Sequence, residues 1–145
     1  MSRVTVCVIA IVLATWARPV AAGQITIKVV NGHTGKPLKA TTVDIWFGRK
    51  ASPPPTQVTT TDDGNSLLPF PDSIETILIA GQGVGDCRTG NLKSYIEGNV
   101  YRVQDILQRG IVAQNACGKT RSQPTPGVLV FYVRPLHCWE KMFGS

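Results

Sequence analysis

The sequence predicts a mainly β protein: a single antiparallel β-sandwich of about seven strands, with one short helix near residues 101–109. Two observations carry this prediction. Before residue 80, five short strand-like runs lie close together, turn residues separate them, and no helical period appears. Near the C-terminus, one longer run is apolar almost throughout, as expected for a central strand that is covered on both faces.

The five early runs predict short strands, and the first two have the alternating pattern of half-buried ones. In the first run, Ile25, Ile27 and Val29 fall on one side and polar residues on the other. The second run alternates in the same way and is rich in β-branched and aromatic residues, which favour strands. In chain order, the five runs cover residues 24–30, 41–47, 56–61, 66–70 and 76–80.

The pattern changes to a helical one after residue 100. Residues 101–109 place Val103, Ile106 and Leu107 on one helical face, and Gly110 ends the pattern. The sequence therefore predicts a short helix that packs on an edge or an end of the sheets.

The rest of the second half predicts strands and loops. Residues 111–114 indicate a brief strand, and 127–135 form the strongest strand of the chain. The glycine-rich stretch 81–86, GQGVGD, is not followed by the helix that a dinucleotide site needs. We interpret it as a flexible loop.

The N-terminus has the features of a secretory signal peptide. Arg3 precedes an apolar run, 4–16, and the small residues Val20 and Ala22 precede a cleavage site. The run is shorter than the roughly 20 residues needed to span a bilayer. We predict cleavage near Ala22, which leaves one domain, 23–145, in the periplasm or outside the cell.

The mature chain has a small positive net charge. Removal of Arg3 and Arg18 with the signal peptide lowers the formal net charge from +6 to +4. The basic residues are scattered, so nucleic-acid binding is not predicted. No later segment is apolar enough to cross a membrane. The partners we expect are an unknown protein or an envelope polysaccharide, since weak attraction to an anionic wall polymer stays open.

Three cysteines remain after cleavage, and two of them predict a disulfide. Cys87 and Cys117 lie in polar, glycine-containing loops on either side of the helical segment. Outside the cytoplasm such a bond persists, and closing this loop contributes about 3–4 kcal/mol in the chain-entropy model. Cys138 lies in an apolar, aromatic tail and is left as a possible free thiol, which could join two copies.

Two short motifs carry a family resemblance. Residues 34–38, Thr-Gly-Lys-Pro-Leu, and 61–64, Thr-Asp-Asp-Gly, enclose the second predicted strand. This arrangement resembles carboxypeptidase regulatory-like domains, which have the transthyretin-like (prealbumin-like) sandwich. The resemblance covers roughly residues 25–80 and implies that fold and a mostly non-catalytic, accessory or adhesive role. The second half is similar to secreted bacterial proteins whose activity is unassigned.

The same sandwich occurs in 5-hydroxyisourate hydrolases, and the chain departs from their pattern. Only its last two residues match the Tyr-Arg-Gly-Ser ending of those enzymes. The positions of their catalytic histidine and arginine fall on Lys28 and Asn65, and their later histidine pair falls near Phe131 and Val133. These side chains do not supply the acid–base groups of that reaction, so the resemblance does not imply this activity.

Other candidate chemistry is also incomplete. The stretch NACGKT, 115–120, ends like a phosphate-binding loop, but Ala113 replaces the required first glycine and prolines follow Thr120. The two histidines, His33 and His137, have no set of further ligands at a zinc spacing. We predict no catalytic, metal-binding or cofactor-binding residues, and no cofactor.

The sequence therefore predicts a non-enzymatic module that binds a partner or contributes to structure in the cell envelope. The alternative is a small extracytoplasmic transthyretin-like hydrolase or ligand carrier. Convergence of Lys28, Asp44, Arg134 and His137 in one cleft would favour that alternative. Two tryptophans are possible ligand-contact aromatics, although strand aromatics more often pack. They are Trp46 and Trp139.

Overall fold

The structure is a computed structural model, and it describes residues 23–52, 54–88 and 100–136. The predicted signal peptide, Cys138, Trp139 and His137 lie outside the described residues. In chain order, the elements are β1 (Gly23–Asn31), β2 (Thr42–Phe47), β3 (Thr56–Thr59), β4 (Asn65–Phe70), β5 (Thr76–Gly81), β6 (Val84–Asp86), β7 (Val100–Arg102), α1 (Val103–Arg109), β8 (Ile111–Val112) and β9 (Val128–Pro135).

The described strands form two sheets that pack as a β-sandwich, so the predicted fold class is confirmed. The five-stranded sheet has the order β4-β1-β9-β6, and β8 also pairs with β9. The four-stranded sheet has the order β3-β2-β5-β7. Most pairs are antiparallel, but β1 and β8 both run parallel to β9. The central strand β9 thus joins the first strand of the chain to its second half.

The core between the sheets follows from the period-two pattern. Ile25, Ile27 and Val29 of β1 point inward, and their polar neighbours point outward. Both sheets and α1 contribute to one apolar cluster, so removal of this surface from water is the main stabilising term. Its buried members are Ile25, Ile27, Val29, Val43, Ile45, Leu68, Phe70, Ile77, Ile79, Val103, Ile106, Ala113, Leu129, Phe131 and Val133.

Strand β9 is covered on both faces, as its sequence predicts. Leu129, Phe131 and Val133 face the core between the sheets. Val130 and Tyr132 belong to a second cluster on the outer face of the five-stranded sheet. The chain between β8 and β9 supplies this outer cover, which we call the outer layer (residues 113–127).

The helix begins later than predicted. Tyr101 and Arg102 belong to β7, which pairs with β5, and α1 starts at Val103. The amide of Val103 donates to the Glu75 carbonyl at 2.9 Å, so the tertiary hydrogen bond fixes this boundary. The predicted inward face is correct, because Val103 and Ile106 are fully buried.

The interpretation of GQGVGD as a flexible loop was wrong in part. Gly81 ends β5, and residues 84–86 form β6, which pairs with the end of β9. Val84 packs against the core, and a Cβ on Gly85 would lie 2.9 Å from the Arg134 side chain. Gly81 and Gly85 thus allow close packing at a sheet edge.

Arg88 closes the edge of the sandwich next to β6. Its guanidinium donates to the Ile79 carbonyl of the opposite sheet at 2.7 Å and forms a salt bridge with Asp86. It also lies 4.6 Å from the centroid of the Phe131 ring. Burial opposes the charge of Arg88, but the hydrogen bond to Asp86 favours it, and the pKa is raised above its usual value.

Candidate functional site

A polar groove runs along the outer face of the five-stranded sheet. Its volume is about 580 Å³, which is within the usual range for small-molecule sites. Three strands form its floor and the outer layer forms one wall. The residues that line it are Thr26, Lys28, Asn65, Ser122, Gln123, Thr125, Val128 and Val130.

Strand geometry places the floor residues. Because Ile25 and Ile27 face the core, Thr26 and Lys28 point to the opposite face. Lys28 lies directly between Asn65 of β4 and Val130 of β9 in the strand register. The floor is therefore a row across three strands, with the lysine at its centre.

The wall is fixed by a buried tyrosine. The backbone amide of Ser122 donates to the Tyr132 hydroxyl at 2.6 Å, and this hydroxyl donates to Ser122 Oγ at 2.9 Å. Tyr132 is fully buried in the second cluster. At the far end of the wall, the amide of Val128 donates to the Thr125 carbonyl at 3.0 Å. The wall is thus attached to β9 at both ends.

The disulfide attaches the outer layer at a second place. Cys87 and Cys117 form the predicted bond. The Asn115 amide group donates to the Gly32 carbonyl at 2.9 Å and to the Thr120 carbonyl at 3.0 Å. These bonds connect the stretch NACGKT to the turn after β1, so the stretch is a structural attachment and not a phosphate loop.

Close backbone contacts explain the glycines at this attachment. A Cβ on Gly32 would lie 2.6 Å from Cys87 Sγ and 2.7 Å from Asn115 Oδ1. A Cβ on Gly118 would lie 2.4 Å from the Gly32 carbonyl oxygen. The outer layer can reach the turn only because both positions lack side chains.

Among the described residues that line the groove, Lys28 is the titratable one. The side chain is half-buried, and no described acidic residue forms a salt bridge with it. The rest of the lining consists of hydroxyls, amides and two valines. The groove thus offers several hydrogen-bonding groups around one positive charge.

The turn before β4 supports one end of the floor. The Asp63 carboxylate accepts hydrogen bonds from the Thr61 hydroxyl and from the side chain and backbone N–H of Asn65. These bonds lower the pKa of Asp63 below its usual value. Because Asn65 Nδ2 lies 2.8 Å from Asp63 Oδ2, the orientation of this floor residue is fixed.

The residues whose convergence would indicate an enzyme do not meet. Lys28 lies on the outer face of the five-stranded sheet, whereas Asp44 lies on the outer face of the four-stranded sheet. There Asp44 accepts a hydrogen bond from Gln57 at 2.9 Å. Arg134 pairs with Gly85 near the end of β9, away from the lining of the groove. His137 lies outside the described residues.

Trp46 lies far from the groove. It is half-buried on the outer face of the four-stranded sheet, opposite Leu78 of β5. The two faces are separated by the whole thickness of the sandwich. Contact of Trp46 with a ligand stays a prediction, and such a ligand would occupy a different surface.

A smaller pocket lies beside the start of α1. Its volume is about 230 Å³, and it brings two acidic residues near a basic one. In the described part of the chain, no group of three or more histidine, cysteine or acidic residues could bind a metal ion. The lining consists of Asp72, Ile74, Glu75, Arg102 and Gln104.

The comparisons with known proteins give no relative. The chain matches no protein-family model, no curated protein and no solved structure. Within the described residues, no helix has the length and apolar character of a membrane span.

Sequence reasoning found the floor of the groove only in part and missed its wall. In the sequence, Lys28 and Asn65 occupy the positions of the catalytic histidine and arginine of the hydrolase pattern. Ser122, Gln123 and Thr125 lie in a proline-containing stretch that has no period. The only signal was that this polar stretch directly precedes the most apolar strand, β9.

Proposed function

We propose that this protein is an extracytoplasmic, non-catalytic binding module, and that the groove around Lys28 binds a hydroxyl-rich ligand such as a glycan segment. The observation that carries the proposal is the lining itself. Side chains from three strands and from the outer layer present hydroxyl, amide and ammonium groups to one open space of about 580 Å³. Such groups form the hydrogen bonds that sugar hydroxyls require.

The location of the groove suits an extended ligand. Strand β4 is the last strand of the five-stranded sheet on that side, so a chain can leave the groove across it. Leu67 lies on the same face next to Thr26, and it is 59% exposed. An apolar side chain at this point can pack on the C–H face of a sugar ring.

The disulfide supports the proposed compartment. Bonds of this kind persist where the surroundings are oxidising, and Cys87–Cys117 fixes the layer that carries the groove wall. Together with the predicted signal peptide, this favours a secreted or periplasmic location. The transthyretin-like resemblance is consistent with this proposal as an accessory module.

The alternative, a small hydrolase, receives less support from the groove. Acid–base catalysis uses two groups of suitable pKa that reach the substrate together. Among the described lining residues, Lys28 is the titratable one. A ligand carrier that uses the same groove would have the same contacts as the binding module.

The experiment is a titration of the ¹⁵N-labelled protein with soluble trisaccharides, neutral and acidic, followed by amide chemical shifts. We expect the amide chemical shifts of β1, β4 and the wall near Ser122 and Gln123 to change. Shifts centred on Trp46, or no shifts with any sugar at millimolar concentration, would contradict the proposal.

A pair of variants tests the groove itself. Thr125→Trp places a large side chain at the exposed wall and should abolish binding. Thr59→Trp is the matched control, because Thr59 is also an exposed threonine but lies in β3 of the opposite sheet. Equal effects of the two changes would show that the ligand does not bind in the groove.

A further inference from the structure

We infer that the ligand of the groove is an acidic glycan whose carboxylate or phosphate group binds the ammonium group of Lys28; this inference rests on the proposed function. The strand register places Lys28 in the middle of the floor, between Asn65 and Val130. A ligand that fills the groove must therefore contact or approach this charge.

The surroundings of Lys28 favour an anion. Among the described residues, the other seven that line the groove are neutral. Asp63 is two residues before Asn65, but its carboxylate already accepts hydrogen bonds from Thr61 and Asn65. Within the described ranges, no salt bridge joins an acidic residue to Lys28. The positive charge is thus available to a ligand.

The half-buried position of Lys28 strengthens the attraction between its ammonium group and an anion. A lysine on an open surface is screened by solvent and salt. Lys28 instead lies between two neighbouring strands and lines the same groove as the wall residues Ser122 and Gln123. A charge-assisted hydrogen bond formed there is stronger than one between neutral groups.

The neutral groups around Lys28 indicate that the anion carries hydroxyls. The Thr26, Ser122 and Thr125 hydroxyls can donate or accept, and the amides of Asn65 and Gln123 can do both. A small inorganic anion would leave most of these groups to water. An anionic sugar unit uses the charge and the surrounding groups together.

Three trisaccharides, two of them a matched acid and ester, test the inference by calorimetry at low salt. The probes are trigalacturonate, its fully methyl-esterified form, and a phosphorylated maltotriose. We expect trigalacturonate to bind about tenfold more tightly than the ester, since one charge-assisted hydrogen bond is lost on esterification. Tighter binding of the phosphorylated sugar, with the same dependence on Lys28, would support the inference and identify phosphate as the acid group.

Charge variants of the protein form the second half of the test. Lys28→Gln should remove the tenfold preference, and Lys28→Arg should retain most of it. Lys50→Gln is the control, because it removes one charge from an exposed loop after β2. If Lys50→Gln reduced the preference as much as Lys28→Gln does, long-range attraction would explain it and the inference would fail.

The outcomes separate this inference from the proposed function. Equal binding of the acid and the ester, with shifts in the groove, would overturn the acidic ligand and leave the binding module intact. Absence of binding for all three sugars would overturn both. Thermal unfolding of each variant identifies any loss of binding that comes from misfolding, and Lys28→Arg then provides the decisive comparison.

Discussion

The two apolar clusters in the described part of the chain are built by different means. The core between the sheets consists of strand side chains that alternate with outward polar residues, and its contacts follow directly from period two. The outer layer covers β9 with a chain segment that has little regular structure. A disulfide, the Asn115 side chain and the Tyr132 hydroxyl attach this layer to the sheet.

Because of this difference, the contacts that stabilise the fold are largely distinct from those that form the candidate site. The core between the sheets determines the sandwich, and none of the described residues that line the groove belongs to this core. The outer layer forms the wall of the groove, so the wall depends on a few specific bonds instead of a large apolar area. Changes in the core should therefore unfold the whole protein, whereas changes in the outer layer should first affect the groove.

The largest effect is expected from Arg88→Met, which removes a buried charge at the edge of the core. The change leaves Asp86 buried next to an apolar side chain and frees the Ile79 carbonyl. Loss of one partner of a buried pair costs about 3–5 kcal/mol. Denaturation with urea measures the decrease in the free energy of unfolding.

Arg109→Met is the matched control for Arg88. Arg109 forms a salt bridge with Asp105 on α1, but its side chain is 74% exposed. Such a surface pair contributes at most about 1 kcal/mol. If both substitutions had the same small effect, Arg88 would not stabilise the edge of the sandwich.

Removal of the disulfide should have the next largest effect. The double variant Cys87→Ala/Cys117→Ala should lower the free energy of unfolding by about 3–4 kcal/mol, because the bond closes a loop with a sequence separation of 30. Hydrogen exchange should accelerate most at the amides of positions 116 and 117, before it accelerates in β9. Cys138→Ser, which leaves this bond intact, is the control, and uniform acceleration would contradict a separate outer layer.

The sequence predicts the core and the disulfide because both follow local rules. Alternation identifies Ile25 and Ile27 as buried, and two cysteines in polar loops are sufficient to suggest a bond. The parallel pairing of β1 with β9 could not be predicted in this way. It joins residues about 100 positions apart, such as Thr26 and Val128, and depends on the packing of both sheets.

The wall of the groove was not predictable for a similar reason. Ser122 takes its position from the Tyr132 hydroxyl, and Asn115 from the Gly32 carbonyl, which is 83 residues away. Such bonds between a side chain and a distant backbone group leave no periodic pattern in the sequence. The glycines of 81–86 also indicate a loop when read by composition alone, whereas Gly81 and Gly85 allow close packing against Val84 and Arg134.

Tyr132→Phe should have a smaller effect on stability and a larger one on the groove. The ring remains in the second cluster, but the Ser122 amide and hydroxyl lose their partner. The expected decrease in the free energy of unfolding is about 1 kcal/mol. Binding of the trisaccharides should weaken severalfold, and Tyr101→Phe, which alters a hydroxyl near Arg88, is the control. Unchanged binding in Tyr132→Phe would show that the wall does not need this bond.

The smallest effect is expected from Asp63→Asn, which tests the support of the floor at Asn65. The folded-state pKa of Asp63 lies below its unfolded value because Thr61 and Asn65 donate hydrogen bonds to the carboxylate. Its contribution to stability is therefore present above the unfolded pKa, about 4, and is lost as the pH falls through the folded pKa. The stability difference between wild type and variant should be small at pH 7 and should vanish in strong acid. Asp62→Asn, at an exposed position of the same turn, is the control. A difference that persists unchanged at low pH would mean that Asp63 acts through the shape of the turn and not through its charge.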